Sequence, residues 1–177
     1  MTQPAITIRQ ATASDAQAIA EIQVRSWQWA YRTLIPDYYL DSLSATLERR
    51  IEAYREQIMH LPAQHSWWIV EEAKCPAGFT MTGPSRDLDV SPMVAEVFAI
   101  YLSPNTVGKG LGRTLFKHAV EDLQQGGYAQ ATLWVLENNT RARTFYEAAG
   151  WALDGSSKNE ERSGFVLHEV RYHINFR

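Results

Sequence analysis

Glu96-Val-Phe-Ala-Ile-Tyr-Leu102, then Ser103-Pro104, then Gly108-Lys-Gly-Leu-Gly112 is the stretch on which the fold turns. An apolar strand candidate runs into a proline and a glycine-rich loop follows. Leu111, Leu115, Ala119 and Leu123 then recur on one helical face until Gly126-Gly127 stops them. Strand, glycine loop and helix in that order set free backbone amides at a helix start, where the dipole favours an anion and glycine permits close approach. The spacing fits neither well-known nucleotide loop. Arg113 stands where G-x-G-x-x-G needs its last glycine, and no Ser or Thr follows Lys109 as a P-loop requires.

Downstream, Ala131-Thr-Leu-Trp-Val135 reads as a buried strand, and Asn139 caps a second helix that closes at Gly150. Trp151 to Asp154 and Gly164 to Asn175 read as a terminal strand pair joined by a polar loop, Gly155 to Arg162. Upstream, Ala5-Ile-Thr-Ile-Arg9 alternates as a first strand. Ser14 with Gln17 forms a capping box ahead of a long helix that stops by Pro36. Leu47, Ile51, Tyr54 and Ile58 mark another helix, followed by the strand candidates Ser66–Glu71 and Gly78–Thr82 and a turn-rich Gly83–Asp87. No repeat or low-complexity linker divides the chain, so one domain over 1–177 is expected.

Seventeen Lys and Arg against 20 Asp and Glu give a formal charge of −3, which offers no cationic field for nucleic acid or anionic lipid. No apolar run approaches the roughly 18 residues of a membrane span, and the first residues have no signal-like pattern, so a cytoplasmic protein is expected. Cys75 is the only cysteine and the five histidines have no metal-ligand spacing, so neither a disulfide framework nor a metal site is expected. Cys75 beside Pro76 reads as a turn cysteine rather than an acyl carrier. His118, His168 and His173 read as surface or hydrogen-bonded residues.

The glycine block after Ile100-Tyr-Leu-Ser-Pro104, followed by Leu136-Glu-Asn-Asn-Thr-Arg-Ala-Arg-Thr-Phe-Tyr-Glu-Ala-Ala-Gly-Trp151, resembles the GNAT superfamily of acetyl-CoA-dependent N-acetyltransferases. The resemblance is carried by Glu96 to Trp151. It implies an α/β fold with a mixed, largely antiparallel sheet flanked by helices and splayed near Leu102 to admit acetyl-CoA. It further implies that backbone groups of Ile100, Tyr101 and Leu102 hold the pantetheine arm. The amides of Val107, Gly108, Lys109, Gly110, Leu111 and Gly112 would hold the pyrophosphate, with Lys109 and Arg113 adding charge. Val107 stands where the family usually has Gln or Arg, which removes a side-chain contact but not a backbone one.

By the same resemblance Asn139 reaches the pantetheine and Tyr146 sits near the sulfur, where its hydroxyl would protonate the departing thiolate. Glu96 occupies the position of a catalytic carboxylate. Such a group is needed because an alkylammonium with a pKa near 10 must lose a proton before it attacks. The aromatic cluster of Trp27, Trp29, Tyr31, Tyr38 and Tyr39 falls where the acceptor pocket is expected, with Trp27, Tyr31 and Tyr38 as the contacts and Asp37 or Asp41 offering charge. The implied reaction is direct N-acetylation of a small-molecule primary amine. A protein or peptide amine, a non-catalytic acyl-CoA sensor and a homodimer stand as alternatives or additions that these residues leave open.

Overall fold

The computed structural model describes residues 5–176. Its first strand, β1 (Ile6–Gln10), leads into helix α1 (Ala16–Ala30); α2 (Asp37–Ser42) and α3 (Leu47–Met59) follow. A meander of β2 (Ser66–Glu72), β3 (Cys75–Pro84) and β4 (Val94–Leu102) then precedes α4 (Leu111–Gln125) and β5 (Gln130–Leu136). The chain closes with α5 (Thr140–Ala148), β6 (Ala152–Arg162) and β7 (Phe165–Asn175). The strands form one seven-stranded sheet in the order β1-β2-β3-β4-β5-β7-β6. Every neighbouring pair is antiparallel except β4 and β5, which run parallel because α4 returns the chain to the same end of the sheet.

Helices cover both faces, and aromatic side chains fill the layers between. Phe116, Tyr146 and Trp151 pack under β4 and β5 with Leu133 and Tyr172, whereas Ile19, Trp67, Ile69 and Phe79 join α1 to β2 and β3. The second of these clusters anchors α1, the helix that carries Trp27 to the sheet's open centre.

Three expectations need correction. The N-terminal cap of the first helix is Thr12 with Asp15, not Ser14 with Gln17. The Thr12 amide donates to Asp15 Oδ2 at 2.7 Å, while Gln17 bonds Glu21 one turn on. Cys75 opens strand β3, exposed, rather than lying in a turn. The polar Gly155–Arg162 stretch is the second half of β6, not a loop. It pairs with β7 up to Arg162–Phe165, and the reversal is confined to Ser163 (φ 48°) and Gly164 (φ 84°), the positive angles that a two-residue hairpin requires. Polarity on both faces suits β6 to the sheet's edge.

Arg9 grips Asp15 with two guanidinium nitrogens at 2.8 Å each, and this pairing holds the Asp15 carboxyl down at about 2, below its ordinary 3.8. A carboxyl depressed by folding stabilises the native state fully above its unfolded pKa and loses that contribution as the pH falls through the folded one. Asp15→Asn is therefore expected to destabilise the protein by on the order of 2 kcal/mol at pH 7 in chemical denaturation. The deficit shrinks between about pH 4 and pH 2; an equal deficit at both ends of that window contradicts the assignment.

Candidate active site

Pairing of β4 with β5 covers only Val94–Gln130, Ala95–Ala131 and Glu96–Thr132. Beyond Glu96 the two strands diverge, and the β5-facing edge of residues 97–102 has no strand partner. A cleft of about 830 Å³ opens there, lined among others by Leu102, Gly110, Tyr146, Glu96, Trp27 and Tyr31, with the Trp27 ring 6.4 Å from that of Tyr101. Ile100 and Tyr101 line it.

At the mouth, Gly110 caps α4 with φ 86° and Gly108 has φ 85°. A Cβ at either position meets nothing within 4 Å, so the loop's glycines are required by backbone angle and the space before them is open. Gly112 is constrained differently, because a Cβ there comes within 2.9 Å of Leu102 Cδ1. Helix start and strand end therefore approach closely. Among the described residues, the amides of Gly108 to Arg113 donate to no protein acceptor, whereas Thr114 N–H already returns to Gly110 O at 3.1 Å. Val107 departs from expectation, since its amide turns inward to Pro104 O at 3.4 Å. Lys109 also departs: its ammonium pairs with Glu72 at 2.8 Å and does not line the cleft. The Leu111 side chain is buried in the core beside Val70 and Leu115, leaving only its amide to the cradle. Arg113 lines the opening.

Asn139 Oδ1 caps α5 by accepting from Ala142 N–H at 3.1 Å, and the same side chain borders the cleft. Tyr146 is buried against Phe116 and Phe145, with ring centroids 5.4 Å from each. Burial, with Tyr101 nearby, pushes its hydroxyl's pKa upward, so the group stays protonated and keeps a proton to donate near neutral pH.

Glu96 is 1% exposed and lies inside β4, not at an exposed strand end. Its Oε2 accepts from the Arg86 amide at 3.0 Å and from Nε at 3.2 Å, while Oε1 accepts from Nη2 at 2.5 Å. The loop that delivers Arg86 is itself pinned: Asp87 accepts from Trp134 Nε1 at 3.1 Å and from Arg171 Nη1 at 3.0 Å. Arg171 reaches Asp89 and Asp154 as well, so one buried guanidinium ties this loop to β6. The sequence gives no local sign of the Arg86–Glu96 pair, which forms only when β3 and β4 fold back on each other.

Trp27 and Tyr31 line the cleft, their ring centroids 5.0 Å apart in an edge-to-face contact. Tyr38 does not. It is 59% exposed and its hydroxyl donates to Ser163 O at 2.8 Å, fastening the β6–β7 turn to α2. Asp37 and Asp41 are occupied by Arg32 at 3.2 and 2.8 Å, outside the cleft. His118 packs edge-on against Trp68 at 4.3 Å and is half-buried, with Nε2 out of solvent. Trp29, a member of the expected aromatic cluster, lines the cleft; Trp134, Lys158, Glu160, Arg162 and Glu169 line it and were not foreseen. For those on β6 and β7, strand geometry sends alternate residues to the cleft, but the polar β6 sequence carries no apolar alternation to show it.

The splayed strands, the open glycine angles and six unengaged amides fit a pyrophosphate with an extended arm behind it. A family model described as the acetyltransferase (GNAT) family matches residues 17–151. The chain belongs to that family. The uncharacterized N-acetyltransferase YuaI of Bacillus subtilis is 29% identical, over 93% of this chain and 90% of the relative. A spermidine N(1)-acetyltransferase of Thermoplasma acidophilum is 22% identical over 93% and 96%. Among solved structures, the PaiA N-acetyltransferase of Thermoplasma acidophilum in complex with coenzyme A superimposes with a TM-score of 0.74 at 17% identity, covering 97% and 99% of the two chains. This GNAT protein is an acetyl-CoA-dependent N-acetyltransferase. No helix among its described residues is long and apolar enough to cross a membrane.

Proposed function

We propose that this acetyltransferase passes the acetyl group directly to the primary amine of a small molecule. The observation that carries this reading is the continuous cleft from the free amides at Gly108–Arg113 to the carboxylate of Glu96. Acetyl-CoA supplies an acyl group activated as a thioester. Backbone groups of Ile100, Tyr101 and Leu102 align the arm, Asn139 borders it, and the amides of Gly108 to Arg113 hold the phosphates. Glu96 is the carboxylate toward which the acceptor's proton moves, and Arg86 fixes both its oxygens in the cleft wall. Trp27 and Tyr31 flank the acceptor. An amide near Leu102 faces the charge that develops on the thioester oxygen.

A small acceptor is favoured over a peptide because the hairpin turn is latched to α2 by Tyr38 and by the Tyr39–Phe165 ring contact at 5.1 Å. That latch holds the end of β6, whose Arg162 and Glu160 line the cleft, against α2 and so leaves less room for an extended chain. Incubating mixed small amines and, separately, lysine peptides with acetyl-CoA and reading acetylated products by mass spectrometry tests this. Small-molecule products are expected; peptide products alone overturn the choice, and no product from either pool favours a non-catalytic acyl-CoA sensor.

Tyr146 is assigned to the departing sulfur. A buried phenol whose pKa lies above that of an ordinary thiol keeps its proton, so its contribution is a hydrogen bond to the developing thiolate. Tyr146→Phe keeps the ring and removes that donor. Single-turnover transfer is expected to slow by about tenfold or more with acetyl-CoA affinity unchanged. An unchanged single-turnover rate returns Tyr146 to core packing.

A further inference from the structure

Lys158 is the only lysine among the described residues that lines the cleft, and its ammonium is seated in an arrangement built for a cation. Nζ lies 4.2 Å from the centroid of the Trp134 ring and 3.5 Å from Glu169 Oε2. The ring is fixed from behind, its Nε1 donating to both oxygens of Asp87 at 3.1 Å. Lys158 and Glu169 oppose each other across β6 and β7, and Leu136 of β5 continues the same row, so the seat stands on three paired strands.

The occupant is held more loosely than the seat. At 3.5 Å the ion pair exceeds ordinary hydrogen-bond length, and the Lys158 side chain retains 39% exposure against 18% for Glu169. Two arginines of the same cleft are engaged more closely: Arg86 with Glu96 at 2.5 Å, and Arg162 Nε with Glu160 at 3.0 Å. Burial pushes the Glu169 carboxyl upward, Lys158 and Arg162 oppose that shift, and Glu160 adds to it. Tyr31, Tyr101 and Arg86 also face this charge from α1, β4 and the loop after β3. A partly desolvated carboxylate beside an aromatic face gains from a closely fitting ammonium.

We propose that the Trp134 face and the Glu169 carboxylate form the seat for a cationic end of the acceptor, which displaces Lys158, so that the acceptor is an alkylammonium compound. This rests on the small-amine reading above and narrows it. The lysine side chain is a butylammonium, and it stands in for the ligand.

The test uses that equivalence, with n-butylammonium as probe and n-butanol as its uncharged counterpart, both titrated by NMR into the full chain. Lys158→Ala empties the seat and is expected to bind n-butylammonium about tenfold more tightly than the unaltered protein, a gain within the range of a desolvated cation–aromatic contact. Adding Glu169→Gln to that variant is expected to abolish the gain, and n-butanol is expected to gain nothing. Equal affinity of Lys158→Ala and the unaltered protein overturns the proposal, as does equal affinity of the single and double variants. Calorimetry with coenzyme A on the same samples separates the two readings. If coenzyme A binds while n-butylammonium shows no gain, the seat alone is wrong; if coenzyme A fails to bind the unaltered protein, the cleft reading itself falls.

Discussion

Glu96→Gln is expected to slow amine acetylation by about 100- to 10,000-fold near pH 7, the range over which a positioned base contributes. The loss should contract as the pH rises toward 10, where solvent deprotonates an alkylammonium with an ordinary pKa unaided. The substitution preserves size and leaves an amide oxygen to accept from Arg86. Because the Arg86 side chain is 66% exposed, water can solvate the charge that loses its carboxylate. A pH–rate profile measured with any acceptor the screen identifies distinguishes the roles. A deficit of constant size at every pH means that Glu96 only holds Arg86 and the loop after β3.

Gly110→Val is expected to weaken acetyl-CoA binding by about 100-fold or more while the protein remains folded. Gly110 sits at φ 86°, an angle that costs a β-branched residue on the order of 1–3 kcal/mol. Relieving that strain rotates the neighbouring amides away from the cradle. Each hydrogen bond to a charged phosphate oxygen contributes about 1.5–3 kcal/mol, so losing two accounts for the hundredfold. Nothing lies within 4 Å of the added Cβ, so the core is not disturbed and circular dichroism should be unchanged. Calorimetry in the presence of EDTA measures the affinity. Undiminished binding in a folded Gly110→Val protein contradicts the cradle.

The central half of the fold was legible because its signals are local. A glycine at positive φ, a helical stripe such as Leu111-Leu115-Ala119, and a capping Asn139 each announce themselves within a few residues. The β6 strand was not legible, since Lys158, Glu160 and Arg162 alternate toward the cleft with no apolar residue to mark the inward face. For the same reason Lys158 and Glu169 stayed hidden as partners. Their meeting depends on hairpin register, which the two-residue turn at Ser163-Gly164 sets. Arg86 was hidden by distance in another sense, because its loop is positioned by Trp134 and Arg171, residues roughly 50 and 85 positions further along. Lys109 and Tyr38 show the reverse error. Motif position placed both in the site, but the nearest unpaired acceptors, Glu72 and the Ser163 carbonyl, drew their polar ends elsewhere.

The claim that the gap between β4 and β5 receives acetyl-CoA is tested most directly by following backbone amide resonances of the unaltered protein during titration with acetyl-CoA. Saturable shifts are expected to concentrate at Gly108 to Arg113 and along residues 97–102, with Val107, whose amide is already engaged by Pro104, moving less. Saturable shifts elsewhere, with the amides of Gly108 to Arg113 unmoved, would contradict it.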